Sequence, residues 1–221
     1  MTVAMTLKTI WIATTIFLTA CASGPKPADW QLASKGAMER AVSAYLEGNS
    51  RVEAAELGRA RIEISSTGRV DLMARAELLS CASRVASLVF EPCAGFEKLR
   101  QDAPPVERAY ADYLAGKLPP QDIYLLSKEQ QISAKAIILR EQSAIESIAD
   151  PLARLVAAGT VFQAGLASPA LVQAAVDAAS SQGWRRPLLA WLGVQLKLAD
   201  AGGNRLEAER VQRRIALTLK P

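Results

Sequence analysis

Helix-starting signals recur along this chain at short intervals, and they constrain its fold more than any other feature. Ser50-Arg51-Val52-Glu53, Ser127-Lys128-Glu129-Gln130 and Asn204-Arg205-Leu206-Glu207 each set a small polar residue three positions before a Glu or Gln. That is the pattern of a capping box, in which two backbone N–H groups at a helix start are satisfied reciprocally. Asp150-Pro151 and Ser168-Pro169 place a capping residue before a proline at the first helical position, where a missing N–H costs nothing. Gly48-Asn49 and Gly202-Gly203 sit where helices should end. Alanine, leucine and arginine recur between these points, and Val-Ile-Thr alternation, the mark of strands, is nearly absent after residue 20.

These signals predict an all-α domain over 30–221, with helices at 30–47, 51–66, 70–89, 104–116, 120–126, 128–149, 151–166, 169–181, 185–200 and 204–219. The least regular stretch is 90–105, which holds Pro92, Gly95, Pro104 and Pro105. Leu155 to Val176 carries no charge for 22 residues, but Ser168-Pro169 divides it. Two buried helices of one hairpin account for it better than a membrane span, which needs about 20 unbroken residues.

Two segments resemble each other. Ala44 to Ala60 (AYLEGNSRVEAAELGRA) and Leu198 to Arg214 (LADAGGNRLEAERVQRR) each read as a helix end, a Gly/Asn turn and a new helix, and Trp191-Leu192-Gly193 precedes the second. This is loosely similar to the helical hairpin of tetratricopeptide repeats, without a regular register of about 34 residues through the middle. The resemblance implies an array of antiparallel helical hairpins; an irregular helical bundle is the alternative.

The N-terminus carries an address. Met1 to Lys8 holds one positive charge, and Thr9 to Ala20 is an uncharged, mostly apolar run of 12 residues, the length of a signal-peptide core. It ends in Leu18-Thr19-Ala20-Cys21, which resembles the lipobox of bacterial lipoproteins. The resemblance implies removal of residues 1–20 and fatty acylation of Cys21, with several acyl chains, since one alone anchors marginally. Ala22 is not the aspartate associated in that family with inner-membrane retention, so the implied destination is the periplasmic face of the outer membrane. Residues 21–29 then read as the lipidated terminus and a Pro- and Gly-containing linker; the eight residues after the cysteine reach about 26 Å when extended.

Cys81 and Cys93 remain once Cys21 is assigned. In an oxidising compartment an even pair points to a disulfide. Leu78, Cys81, Val85 and Leu88 follow helical spacing, so Cys81 lies on an inward stripe, and Cys93, just after Pro92, sits where the chain could turn back to it. Two buried free thiols and a redox-active pair are the alternatives, the latter without a Cys-x-x-Cys motif.

There is no histidine in the chain. That excludes Ser-His-Asp and Cys-His catalysis and the usual imidazole zinc sites. No cofactor site and no metal site is read from the sequence. The net charge is +4, one unit of it on Lys8 in the leader, and it is dispersed among acids, which gives no case for nucleic-acid binding. Arg185-Arg186 beside Trp184 reads as an exposed turn before a cation–aromatic patch. Arg205, Arg210, Arg213 and Arg214, with Glu207 and Glu209 interleaved, read as a solvated helix face.

Glu146-Ser147 resembles the catalytic opening of lytic transglycosylases, helical enzymes of peptidoglycan that are often lipoproteins. The resemblance implies Glu146 as a general acid, kept protonated by desolvation. The family's aromatic residue is Ala149 here, and its Gly-rich stretch is replaced by Gly159-Thr160-Val161-Phe162-Gln163. The expectation is therefore a non-enzymatic, membrane-tethered helical protein that binds a protein partner or supports an envelope assembly. A peptidoglycan-acting enzyme using Glu146 is the rival. A small-ligand carrier is a third class, which would need an apolar pocket among the helices.

Overall fold

The computed structural model describes residues 27–220. The leader, Cys21 and most of the linker lie outside the described residues. Ten α-helices form the described chain: α1 (Asp29–Glu47), α2 (Ser50–Ser65), α3 (Val70–Ala86), α4 (Ala94–Glu97), α5 (Pro105–Leu114), α6 (Lys128–Leu139), α7 (Pro151–Gln163), α8 (Pro169–Ser181), α9 (Arg185–Ala201) and α10 (Arg205–Leu219). Two 3-10 stretches, Pro120–Leu125 and Ser143–Ser147, join them, and no strand occurs among the described residues. The fold is all-α.

Four helix starts follow the side-chain chemistry of the sequence. Ser127 accepts from the Gln130 N–H while the Gln130 side chain takes the Ser127 N–H, a complete capping box. Asp150 accepts from the Ala153 N–H, Ser168 from the Leu171 N–H, and Asn204 from the Glu207 N–H. The start of α2 differs by one residue. Asn49, not Ser50, is the cap and accepts from the Val52 N–H at 3.2 Å. Glu53 is thereby released from the box and is buried against Arg84 instead.

The expected helix over 128–149 is two elements. It stops at Leu139 because Arg140 takes a left-handed conformation (φ 55°), and a 3-10 turn follows. The helix expected over 70–89 stops at Ala86; Leu88 is also left-handed (φ 59°) and starts the irregular stretch that holds the short α4. The uncharged run is, as expected, a hairpin: α7 and α8 turn at Gly165, which has φ 72°. Among the described residues no helix is long and apolar enough to cross a membrane.

Successive helices pack as hairpins: α1 on α2, α6 on α7, α7 on α8, α8 on α9 and α9 on α10. Two further contacts close the chain on itself. α3 packs along α7, and α1 meets α9. An open hairpin array has no such returns, so the centre is that of an irregular bundle. Trp191 of α9 is fully buried and donates its indole N–H to the Ala86 carbonyl at the end of α3, 3.0 Å away. Its ring meets Phe162 of α7 edge-on, 5.7 Å between centroids. The α3–α7 seam is tight because small residues line it. A Cβ on Gly159 would stand only 2.4 Å from the Val85 carbonyl oxygen.

A smaller apolar cluster of Ala37, Met38, Ala41, Leu57, Ala60 and Ile64 holds the first hairpin together. Three buried carboxylates bind the N-terminal helices to each other, each with an arginine as partner: Glu53 with Arg84, Glu77 with Arg61, and Glu107 with Arg75. Removing the arginine would strand a desolvated carboxylate, which costs more than the pair itself contributes.

Candidate functional site

The cysteine pair is where its spacing placed it. Cys81 lies on α3 and Cys93 just beyond the turn, with their Cα atoms 5.9 Å apart and the sulfurs joined as a disulfide. The bridge pins the segment 87–93 against α3. Arg84, one turn further along α3, reaches Glu91 on that segment at 3.1 Å and Glu53 on α2 at 2.9 Å. Its guanidinium also lies 5.0 Å from the centre of the Tyr45 ring, and Arg186 covers the same ring at 4.1 Å. Arg186 is therefore a structural clasp between α9 and α1, held further by a hydrogen bond to Ser50 Oγ. The aromatic partner is Tyr45 rather than Trp184, a pairing no local spacing reveals.

Glu146 is exposed on the 3-10 turn after α6, beside Arg140, Glu141 and Ser143 at the rim of a shallow surface depression. Such a position is open to water. Among the described residues, no group of three or more His, Cys, Asp or Glu side chains converges to hold a metal ion.

Two features emerge that the sequence reading missed. The first is the outer face of α10. Its inner side buries Ala208 and Val211 against the bundle. Its outer side carries Leu206, Arg210, Arg213 and Leu217, spaced four, seven and eleven positions from the first, which is one helical stripe. Leu206 is 81% exposed and Leu217 71%. Arg205 pairs with Glu209 and Arg210 with Glu207, as a solvated face would have it. The leucines are unexplained by that reading. The signal was present: 205–219 holds more apolar positions than one buried stripe of a terminal helix requires.

The second feature is a cleft of about 390 Å³ between the end of α5, the 3-10 stretch after it, α6 and the end of α7. Leu118, Ile123, Ile137 and Ile138 give it apolar walls, and Ala164 stands at its border on the exposed end of α7. Ile138, Leu139 and Tyr124 leave large apolar surface exposed nearby in the chain. The wall residues Tyr113 and Thr160 belong to a buried hydroxyl cluster with Ser133. Ser133 donates to the Gln130 carbonyl at 3.1 Å and Thr160 to the Ala157 carbonyl at 2.9 Å. The Tyr113 hydroxyl is hydrogen-bonded to Ser133 Oγ and lies 3.3 Å from Thr160 Oγ1. Burial pushes the Tyr113 phenol pKa up, so its proton stays in place. Gln163, also on the wall, has a buried Oε1 without a hydrogen-bond partner; it lies over Gly116, where an added Cβ would stand 3.1 Å away.

Gln163 also borders a neighbouring cavity of about 500 Å³ that the disulfide, Arg84 and Arg100 line. Both arginines there pair with acids, Arg100 with Glu97 and Asp112 and Arg84 with Glu91, and Lys117 also lines the cavity. The Glu97 carboxyl is held below its ordinary range by its hydrogen bonds to Arg100, against a smaller opposing effect of burial.

Comparison of the chain with protein-family models, with curated proteins and with solved structures gives no match.

Proposed function

We propose that this chain is a lipid-anchored binding protein of the cell envelope, tethered through Cys21 to the periplasmic face of the outer membrane, where it holds a protein partner as a component of a larger assembly. The address rests on the leader and on Leu18-Thr19-Ala20-Cys21. A disulfide within the helical body suits an oxidising compartment. The observation that carries the binding role is the outer stripe of α10. The solvent-facing side of a packed helix is expected to be polar. This one turns out two large, strongly exposed leucines with arginines between them, the composition of a helix-in-groove or helix-on-helix contact.

The test is site-specific photocrosslinking in intact cells. A crosslinking amino acid at Leu206 or Leu217 should give one discrete protein adduct, and the same amino acid at exposed Ala54 of α2 should not. Arg213→Glu should weaken the Leu217 adduct while leaving thermal unfolding unchanged. Adducts equally abundant from Ala54, or none from α10, would remove the binding surface from this reading.

A further inference from the structure

We infer that the Cys81–Cys93 bridge is a reducible latch: thiol–disulfide exchange there frees residues 89–92 as a strap and opens the cavity beneath it, while the helical bundle stays closed. The bridge is within reach of a reductant. Both cysteines are half-buried, and they stand in the wall of the open cavity of about 500 Å³. Arg84, Arg100 and Lys117 line that cavity together with Glu91, Glu97 and Asp112, so its formal charges cancel and do not turn away a thiolate.

The strap has few other ties. Val89, Phe90, Glu91 and Pro92 are exposed in succession. Leu88 hinges the segment and packs its side chain against the core, but at a left-handed φ of 59°, which costs a non-glycine residue free energy. Glu91 reaches Arg84 at 3.1 Å, yet its side chain is 57% exposed, and a pair so open to water holds weakly. The Phe90 ring stacks on Phe162 with 6.3 Å between centroids, and the Val89 N–H donates to the Arg84 carbonyl. The bundle does not depend on the strap. Its closing contacts, α3 along α7 and the Trp191 indole on the Ala86 carbonyl, lie before it, and the fully buried Phe96 anchors α4 after it.

A dithiol balances the exchange. One of its thiolates attacks a bridge sulfur, forms a mixed disulfide and expels the other cysteine as a thiolate; its second sulfur then displaces the first cysteine. The dithiol leaves oxidised to a disulfide, having given up two electrons and two protons, and Cys81 and Cys93 become thiols. Residues 89–92 form one wall of the cavity, so lifting them opens it to water. The shape of this cavity thereby follows the thiol–disulfide state of its surroundings.

The experiment uses the full chain purified from its membrane, with dithiothreitol as the dithiol. Without denaturant, alkylation and peptide mass spectrometry should find Cys81 and Cys93 freed at a rate proportional to dithiothreitol. Gly58→Ala, on α2 where the added Cβ meets nothing, should leave that rate unchanged. A bridge reached only through global unfolding would be reduced about two- to fivefold more slowly in that more stable protein. After reduction, amide exchange at Leu88 and Val89, both hydrogen-bonded in the latched protein, should quicken by about tenfold or more while α7 and α9 remain protected. A bridge that resists dithiothreitol until urea is added, a rate that falls with Gly58→Ala, slow exchange at Leu88 and Val89 that survives reduction, or protection of α7 and α9 lost along with theirs would each overturn the inference.

Discussion

Replacing Gly159 with alanine should unfold this protein more easily, although the same change inside an exposed helix normally does the opposite. Gly159 lies mid-way along α7, where alanine is favoured over glycine by about 0.8–1.0 kcal/mol from helix propensity alone. The new Cβ would sit 2.4 Å from the Val85 carbonyl oxygen and 3.0 Å from its Cγ1. The first neighbour is backbone, so it cannot rotate away. Reaching ordinary contact distance, near 3.4 Å, requires α3 and α7 to part by about an ångström. A gap of that size forfeits a quarter to a half of the dispersion attraction along the seam, and overpacking of this kind costs about 1–3 kcal/mol. Taking the upper end because the obstacle is main chain, and subtracting the propensity gain, the net loss is about 2 kcal/mol. Gly58 in α2 and Gly193 in α9 are the controls: a Cβ at either meets nothing within 4 Å, so alanine there should stabilise by about 0.5–1 kcal/mol. Urea denaturation followed by far-UV circular dichroism reads all three as shifts in midpoint at constant slope. A Gly159→Ala protein as stable as the Gly58→Ala and Gly193→Ala proteins would refute the close α3–α7 crossing and the closed bundle that depends on it.

Three other outcomes follow. Reducing the Cys81–Cys93 bridge, or replacing both residues with serine, should cost about 3 kcal/mol by the chain-entropy relation for a loop of roughly 13 residues, measured by the same denaturation. Stability should be flat between about pH 5 and 8, since there is no histidine to titrate there. It should then fall in acid. Glu97 has its carboxyl lowered by Arg100, so it contributes stability that is fully present above its ordinary value of 4.5 and is lost as pH falls through its lower folded value. A thermal-unfolding midpoint that rises on acidification would contradict that sign. Glu146→Gln should leave release of peptidoglycan fragments at the level of the unaltered protein, because the side chain is exposed and lacks a desolvating pocket.

The helical class and most boundaries were legible because capping is local. Ser127, Asp150, Ser168 and Asn204 each sit within a few residues of the N–H they satisfy, so their spacing in the chain is the interaction itself. The same locality explains the disulfide, whose partners are twelve residues apart. Where two local candidates adjoin, tertiary contact decides. Asn49 caps α2 in place of Ser50, while Ser50 accepts from Arg186 of α9 and Glu53 from Arg84 of α3. The stop at Arg140 was hidden because a left-handed cap normally announces itself through glycine, and arginine does not. The cleft was invisible for a related reason. It forms where α5, α6 and α7 converge from separate stretches of sequence. The α10 stripe, by contrast, could have been counted from the sequence. It was obscured by the interleaved charges, which read as a complete explanation of the outer face.

The central claim is that this body hangs from a membrane by an acylated cysteine. Mass spectrometry of the N-terminal peptide, taken from protein recovered with the outer-membrane fraction, tests it most directly. The account predicts a chain that starts at Cys21 with diacylglycerol on its sulfur. A chain that retains Met1 or Met5, carries an unmodified Cys21 and is recovered in the soluble cytosolic fraction would contradict it.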